Sequence, residues 1–130
     1  MALNQTIRLG SLTPTRDLNY VADTVRGFMA CASYSGAIGR TINIGSGHEI
    51  SVGELARTVA DLIGTDVRIE CDEQRLRPAG SEVERLLADN RLAADIVHWK
   101  STVTLEQGLQ HTIDWFRENS EGYKANVYNV

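Results

Sequence analysis

Thr41-Ile42-Asn43-Ile44-Gly45-Ser46-Gly47, then Ser51-Val52-Gly53-Glu54, then Val67-Arg68-Ile69-Glu70-Cys71 are the stretches on which the fold turns. Thr41–Ile44 is short and β-prone and reads as a buried strand, closed by a tight Gly45-Ser46-Gly47 turn. Ser51 and Glu54 have the spacing of a capping box, in which hydroxyl and carboxylate each satisfy a free amide at a helix start. Leu55, Val59, Leu62 and Ile63 follow at helical spacing, and Gly64 is placed as the C-cap. Val67–Cys71 alternates as a strand does. Strand, helix and strand in this order form a crossover unit and put the chain in the α/β class.

Working outward, Thr6–Leu9 alternates as a short strand that Gly10 ends, and residues 11–19, with Pro14, read as a loop or irregular strand. Val21, Val25, Phe28, Met29 and Ala32 share one helical face, which predicts a helix from Tyr20 to Ala32, followed by a Ser- and Gly-rich turn over 33–39. Downstream, Asp72–Ser81 is a polar loop with Arg75, Arg77 and Arg85 nearby, and Val83–Leu87 reads as a short strand. Asp89 is placed as the cap of a short helix through Ile96. Thr104 and Gln107 form a second capping box ahead of Leu105, Leu109, Ile113 and Phe116, which mark a last amphipathic helix. Gly122–Val130 is expected to pack as an extended arm. The expectation is one domain over residues 1–130, with a crossover unit, a smaller mixed lobe of short strands, about four helices and no internal repeat.

Composition narrows the function classes. The chain has 130 residues, enough for one buried core, and 42% hydrophobic with 23% charged residues is ordinary for a globular protein. Thirteen Lys and Arg against 17 Asp and Glu leave a net charge of −4, without the basic footprint of a nucleic-acid binder. No run approaches the ~20 apolar residues of a membrane span, and Met1–Leu12 does not read as a signal peptide, so the expected location is the cytoplasm. Cys31 and Cys71 are expected to be buried thiols in a reducing compartment. His48, His98 and His111 do not fall at metal-ligand spacing. Trp99, Trp115 and Phe116 are placed in the core.

Three further stretches carry a resemblance: Leu9-Gly10-Ser11-Leu12-Thr13-Pro14-Thr15-Arg16-Asp17, continuing through Asp23; Asn43-Ile44-Gly45; and Arg75-Leu76-Arg77-Pro78 through Leu87-Ala88-Asp89. In order and spacing they resemble the C-terminal third of the extended short-chain dehydrogenase/reductases, specifically the NAD-dependent nucleotide-sugar epimerases and 4,6-dehydratases. Tyr123-Lys124 and Tyr128-Asn129-Val130 resemble the tail of a bacterial dehydratase subgroup. The resemblance implies a substrate-binding lobe that carries the last strand–helix–strand elements of a Rossmann core. It also implies roles. Arg16 resembles the arginine that reaches the substrate diphosphate, Asn43 the asparagine beside it, Arg77 a second diphosphate clamp, and Glu82 the carboxylate that accepts hydrogen bonds from the nucleotide ribose. The chemistry suits these roles: a guanidinium fork binds a diphosphate bidentately, and a carboxylate matches the two donors of a cis-diol. Asp17 and Asp23 are expected to bond turn and helix-start amides. One departure is Val97-His98-Trp99, where the family has Leu-Gly-Trp, so His98 stands where a glycine ends the short helix.

Two signatures of that family are absent from this sequence. No Gly-x-x-Gly-x-x-Gly occurs, and Gly45-Ser46-Gly47, with Ile50 at the third position, reads as a strand-end turn and not as a pyrophosphate cradle. No tyrosine has a lysine four residues later: Tyr20 leads to Thr24, Tyr34 to Ile38 and Tyr123 to Val127. The chain is therefore expected to bind a nucleoside diphosphate sugar, to hold no cofactor of its own although the full-length family uses NAD, and not to catalyse the family reaction alone. Expected partners are a second copy of the chain, as a homodimer or larger assembly, or a separate NAD-binding subunit. The alternative readings are a homo-oligomeric interaction module and a truncated gene product with Met1 as a secondary start.

Overall fold

Both capping boxes form. Ser51 Oγ accepts from the Glu54 amide at 3.2 Å, and Glu54 Oε2 accepts from the Ser51 amide at 3.1 Å. Thr104 Oγ1 accepts from the Gln107 amide at 3.2 Å, and Gln107 Oε1 accepts from the Thr104 amide at 3.0 Å. These two starts launch the most amphipathic helices of the chain.

The computed structural model describes residues 5–78 and 80–119. The elements are β1 (Gln5–Leu9), β2 (Thr15–Asp17), α1 (Val21–Ser33), β3 (Glu49–Ser51), α2 (Val52–Ile63), β4 (Val67–Cys71), β5 (Arg85–Leu86), α3 (Arg91–Val97) and α4 (Leu105–Glu118), with 3-10 turns at Ser35–Ala37 and Glu73–Arg75. This is an α/β chain with four helices among short strands in the described residues. Two small sheets organise it. β1 pairs parallel with β4, Ile7 opposite Ile69. β2 lies between β3, antiparallel with Arg16 opposite Ile50, and β5, parallel with Thr15 opposite Arg85. α2 ends at Gly64, whose φ of 76° is the left-handed conformation a C-cap needs.

The core sits where the start of α1 meets the approach to α4. Asp23 on α1 is 1% exposed. Its carboxylate accepts from the amides of Thr102 (2.8 Å) and Val103 (3.0 Å) and from the hydroxyls of Ser101 (2.8 Å) and Thr102 (3.1 Å). Arg26 donates to it as well. Burial by itself would raise its pKa; the bonds from Val103, Ser101 and Thr102 outweigh that and hold it well below the usual carboxylate range. Trp99, also buried, donates from Nε1 to the Asp23 carbonyl at 3.0 Å.

Several expectations need correction. Residues 41–44 do not form a strand, because a strand exists through a partner's hydrogen bonds and no described strand pairs with them. Of the two readings given for residues 11–19, loop or irregular strand, the strand is realised at 15–17, which forms the centre of a sheet, while β3 had no alternating pattern long enough to announce it. Asn90, not Asp89, is the N-cap of α3, without a capping side-chain bond. Its amide nitrogen is used elsewhere, donating to the Gly45 carbonyl at 2.9 Å. Cys71 is exposed and Cys31 half-buried. Trp115 and Phe116 are exposed and meet edge to face with ring centroids 5.3 Å apart. The expected arm over 122–130 lies outside the described residues.

The apolar face of α1 points to solvent: Val21 is 65% exposed, Val25 49%, Phe28 65% and Met29 64%. The helix packs inward through its small side. A Cβ on Gly27 would stand 2.7 Å from Ile44 Cγ2, so only glycine lets α1 lie this close to residue 44.

Candidate functional site

Arg16, Arg77 and Glu82 meet in space; Asn43 does not join them. Arg16 is the central residue of β2 and its guanidinium is tied down from two sides. Nη1 donates to the carbonyls of Thr15 and Val83, both at 2.7 Å, and Nη2 to Glu82 Oε1 at 2.9 Å. Arg77 approaches the other oxygen of the same carboxylate, Nε to Oε2, at 3.8 Å. A turn explains why residues five apart converge. The Ser81 amide and hydroxyl both bond to the Pro78 carbonyl, at 3.0 and 2.8 Å, and Gly80 takes φ 85° between them. That turn leaves Arg77 and Glu82 at its two ends. Pairing of β2 with β5, extended by the Thr15 amide bonding the Glu84 carbonyl at 2.8 Å, brings Glu82 and Val83 to Arg16.

Two arginines against one glutamate leave a local surplus of one positive charge in an acidic protein. The side chains are 27%, 64% and 22% exposed for Arg16, Arg77 and Glu82, so an anion can reach them from water. Asn43 lies apart, in a concavity shared with Thr41, Asp89, Arg91, Leu92 and Asp95. Its Nδ2 makes a long 3.4 Å contact to the Asp89 carbonyl. Asp89 binds Arg91 through both oxygens, and the bonds from the Arg91 side chain and then its amide hold the Asp89 pKa down at about 2.

A larger cleft of about 1230 Å³ opens beside Tyr20, Glu54, Lys100 and Thr104. None of the four candidate residues lines it. Its charged lining sets Glu49, Glu54 and Glu106 against Lys100, the wrong sign for a diphosphate. The arginine cluster, by contrast, carries a surplus of positive charge. Among the described residues no group of three or more His, Cys, Asp or Glu side chains is arranged to hold a metal ion.

The Gly45-Ser46-Gly47 turn is closed to a dinucleotide pyrophosphate. The amides of Ser46 (2.9 Å) and Gly47 (3.0 Å), which such a phosphate would need, already donate to the Asp17 carboxylate, as does the Ser46 hydroxyl at 2.6 Å. A Cβ at Gly45 would lie 2.4 Å from the Ala88 Cβ, so that glycine serves internal packing. The described residues do not fit NAD at this turn. Sequence reasoning overlooked Glu49. It accepts bidentately from Arg85 at 2.7–2.9 Å and from the Thr15 hydroxyl at 2.7 Å, bracing all three strands of its sheet. The Arg85 bond and then the Thr15 bond bring its pKa to about 2. Only the strand register brings Glu49 and Arg85 together, so no sequence spacing could have found the pair.

Comparison with known proteins agrees with the fold. The family model described as GDP-mannose 4,6 dehydratase matches residues 1–112. The UDP-glucuronic acid decarboxylase 1 of Xenopus tropicalis is 32% identical over 119 residues, which are 92% of this chain and 27% of the relative. An epimerase structure from Methanothermobacter thermautotrophicus superposes with a TM-score of 0.81 at 33% identity, covering 91% of this chain and 34% of that one. A UDP-glucuronic acid 4-epimerase from Bacillus cereus, solved in complex with UDP-glucuronic acid and NAD, superposes with a TM-score of 0.74 at 27% identity over 88% of this chain and 35% of that one. The chain thus spans about a third of the length of the relatives it matches.

Proposed function

The chain belongs to the GDP-mannose 4,6 dehydratase family of extended short-chain dehydrogenase/reductases, and on that premise we propose that it is a nucleotide-sugar-binding lobe. In this reading Arg16 and Arg77 take the diphosphate of a nucleoside diphosphate sugar and Glu82 takes the ribose hydroxyls, while Asn43, which the resemblance groups with them, stands in a separate concavity. The observation that carries it is the convergence of two arginines and one glutamate from β2 and the Pro78–Ser81 turn on a single exposed spot. Guanidinium groups held on separate elements can grip both phosphates, and each charge-assisted bond contributes about 1.5–3 kcal/mol.

The lobe itself supplies binding and orientation. Hydride transfer and proton transfer at the sugar belong to NAD and to a tyrosine–lysine pair of the kind the family uses, neither of which we assign to this chain. The chain alone is therefore expected to bind and not to turn over. The test is calorimetric titration with UDP-, GDP-, CDP- and dTDP-sugars. One of them binds, and Arg77→Ala weakens that binding by about tenfold or more. Equal affinity in the variant would sink the assignment.

A second reading concerns assembly and rests on the exposed α1 face. Val21, Val25, Phe28 and Met29 form an apolar patch that a lone chain would leave wet. In this reading the face joins two copies of the chain in a homodimer, and a separate NAD-binding subunit is the competing occupant.

A further inference from the structure

We propose that Glu82 is a built-in counter-anion for the diphosphate site, one that surrenders Arg77 to the incoming phosphates while keeping Arg16. This deepens the reading of the lobe as a nucleotide-sugar site and rests on it.

The two arginines are held unequally. Arg16 spends three donors on partners at 2.7–2.9 Å, two of them backbone carbonyls, and so cannot swing away. Among the described residues, its Nε hydrogen and one Nη2 hydrogen remain for a ligand. Among the described residues, Arg77 has only the 3.8 Å approach to Glu82, beyond hydrogen-bond length, and is 64% exposed. Glu82 therefore neutralises a fixed arginine with one oxygen and tethers a loose one with the other. A diphosphate offers Arg77 shorter, bidentate bonds than Glu82 does. It also repels the carboxylate that holds Arg77. When Arg77 leaves, Oε2 loses its ion-pair partner and keeps its acceptor capacity for a ribose hydroxyl. One residue thus positions both arginines, competes with the phosphates and then receives the sugar of the nucleotide.

The competition has a signature that a purely supporting role lacks: removing the charge improves binding of a bare diphosphate. Inorganic pyrophosphate, which has no ribose, is the probe. Glu82→Gln is isosteric and is expected to bind pyrophosphate about two- to fivefold tighter than the unsubstituted chain, the scale of an exposed ion pair. An independent reading needs no variant. In an NMR titration of the unsubstituted chain with pyrophosphate, the Arg77 Nε–H resonance shifts while the Arg16 Nη hydrogens stay protected from exchange. Unchanged or weaker pyrophosphate binding by a folded Glu82→Gln chain overturns the proposal, as does a titration that moves Arg16 and leaves Arg77 still. In either case a nucleoside diphosphate sugar that binds the unsubstituted chain keeps the site reading intact. If neither pyrophosphate nor any of the four nucleotide sugars binds, both fall together.

Discussion

Three carboxylates show how one functional group takes three jobs according to what surrounds it. Asp17 binds the amides of a glycine turn, Asp23 binds the segment leading into α4, and Glu82 binds two arginines. Of these only Glu82 holds a partner beyond hydrogen-bond length, the 64% exposed Arg77 at 3.8 Å, which is why it is the candidate for ligand exchange. Asp23 is the structural extreme. Asp23→Asn keeps the size but removes the charge and turns one acceptor into a donor facing donors. It is expected to destabilise the chain by about 2–4 kcal/mol in denaturant unfolding. The pH dependence has a definite sign. The folded pKa of Asp23 lies below its ordinary 3.8, so its stabilisation is complete above about pH 4 and is lost as pH falls through the folded value. Glu49 and Asp89, each at about 2 when folded, act in the same direction. Thermal midpoints should therefore fall steadily from about pH 4 toward pH 2, with a shallower slope in Asp23→Asn. At this scale sequence motifs brought Arg16, Arg77 and Glu82 forward by resemblance. Their mutual contact was not legible, because it depends on the Pro78–Ser81 turn and the β2–β5 pairing. Asn43 was grouped with them by motif and stands apart in the fold.

Among the elements, those governed by local rules were legible. α2 and α4 begin at the capping boxes that Ser51–Glu54 and Thr104–Gln107 announce, since a cap is satisfied within four residues. Thr104→Ala should cost about 1 kcal/mol by thermal or chemical unfolding. α3 ends at His98, whose φ of 51° is the left-handed conformation of the residue after a helix. A glycine is conventional there, and His98 is exposed. His98→Gly should therefore stabilise the chain by roughly 0.5–1 kcal/mol, relief of backbone strain outweighing the entropy of a more flexible unfolded chain. The contrast is Gly27 within α1. Gly27→Ala, favourable by helix propensity, should destabilise by about 1–3 kcal/mol because the new methyl meets Ile44. Of the three-residue strands, β2 was legible only as one of two readings, loop or irregular strand, and β3 not at all, both being too short for alternation to register.

For the molecule as a whole, α1 turns its large apolar residues outward, and segment 41–44, which packs against the opposite, inward side of α1 through the Gly27–Ile44 contact, has no strand partner among the described residues. A strand-like sequence without a strand partner and a helix with its large apolar residues in water are both incomplete structures. The homodimer proposed for this face predicts a dimer at micromolar concentration by light scattering. Replacing Phe28 and Met29 together with glutamate should shift it to monomer without lowering the affinity for pyrophosphate. A wild-type monomer at that concentration would remove the homodimer and leave the separate subunit as the occupant.

By itself the sequence determined the starts of α2 and α4, the α/β class and the family, since caps and motifs are matters of spacing along the chain. Only the tertiary structure decided that Arg16 and Arg77 share one carboxylate, that Asp17 already fills the glycine turn, and that α1 turns its apolar face outward. Each of those rests on groups far apart in sequence, such as Asp17 and Ser46 or Arg16 and Glu82. Packing and hydrogen-bond geometry bring them together, and no local pattern records it.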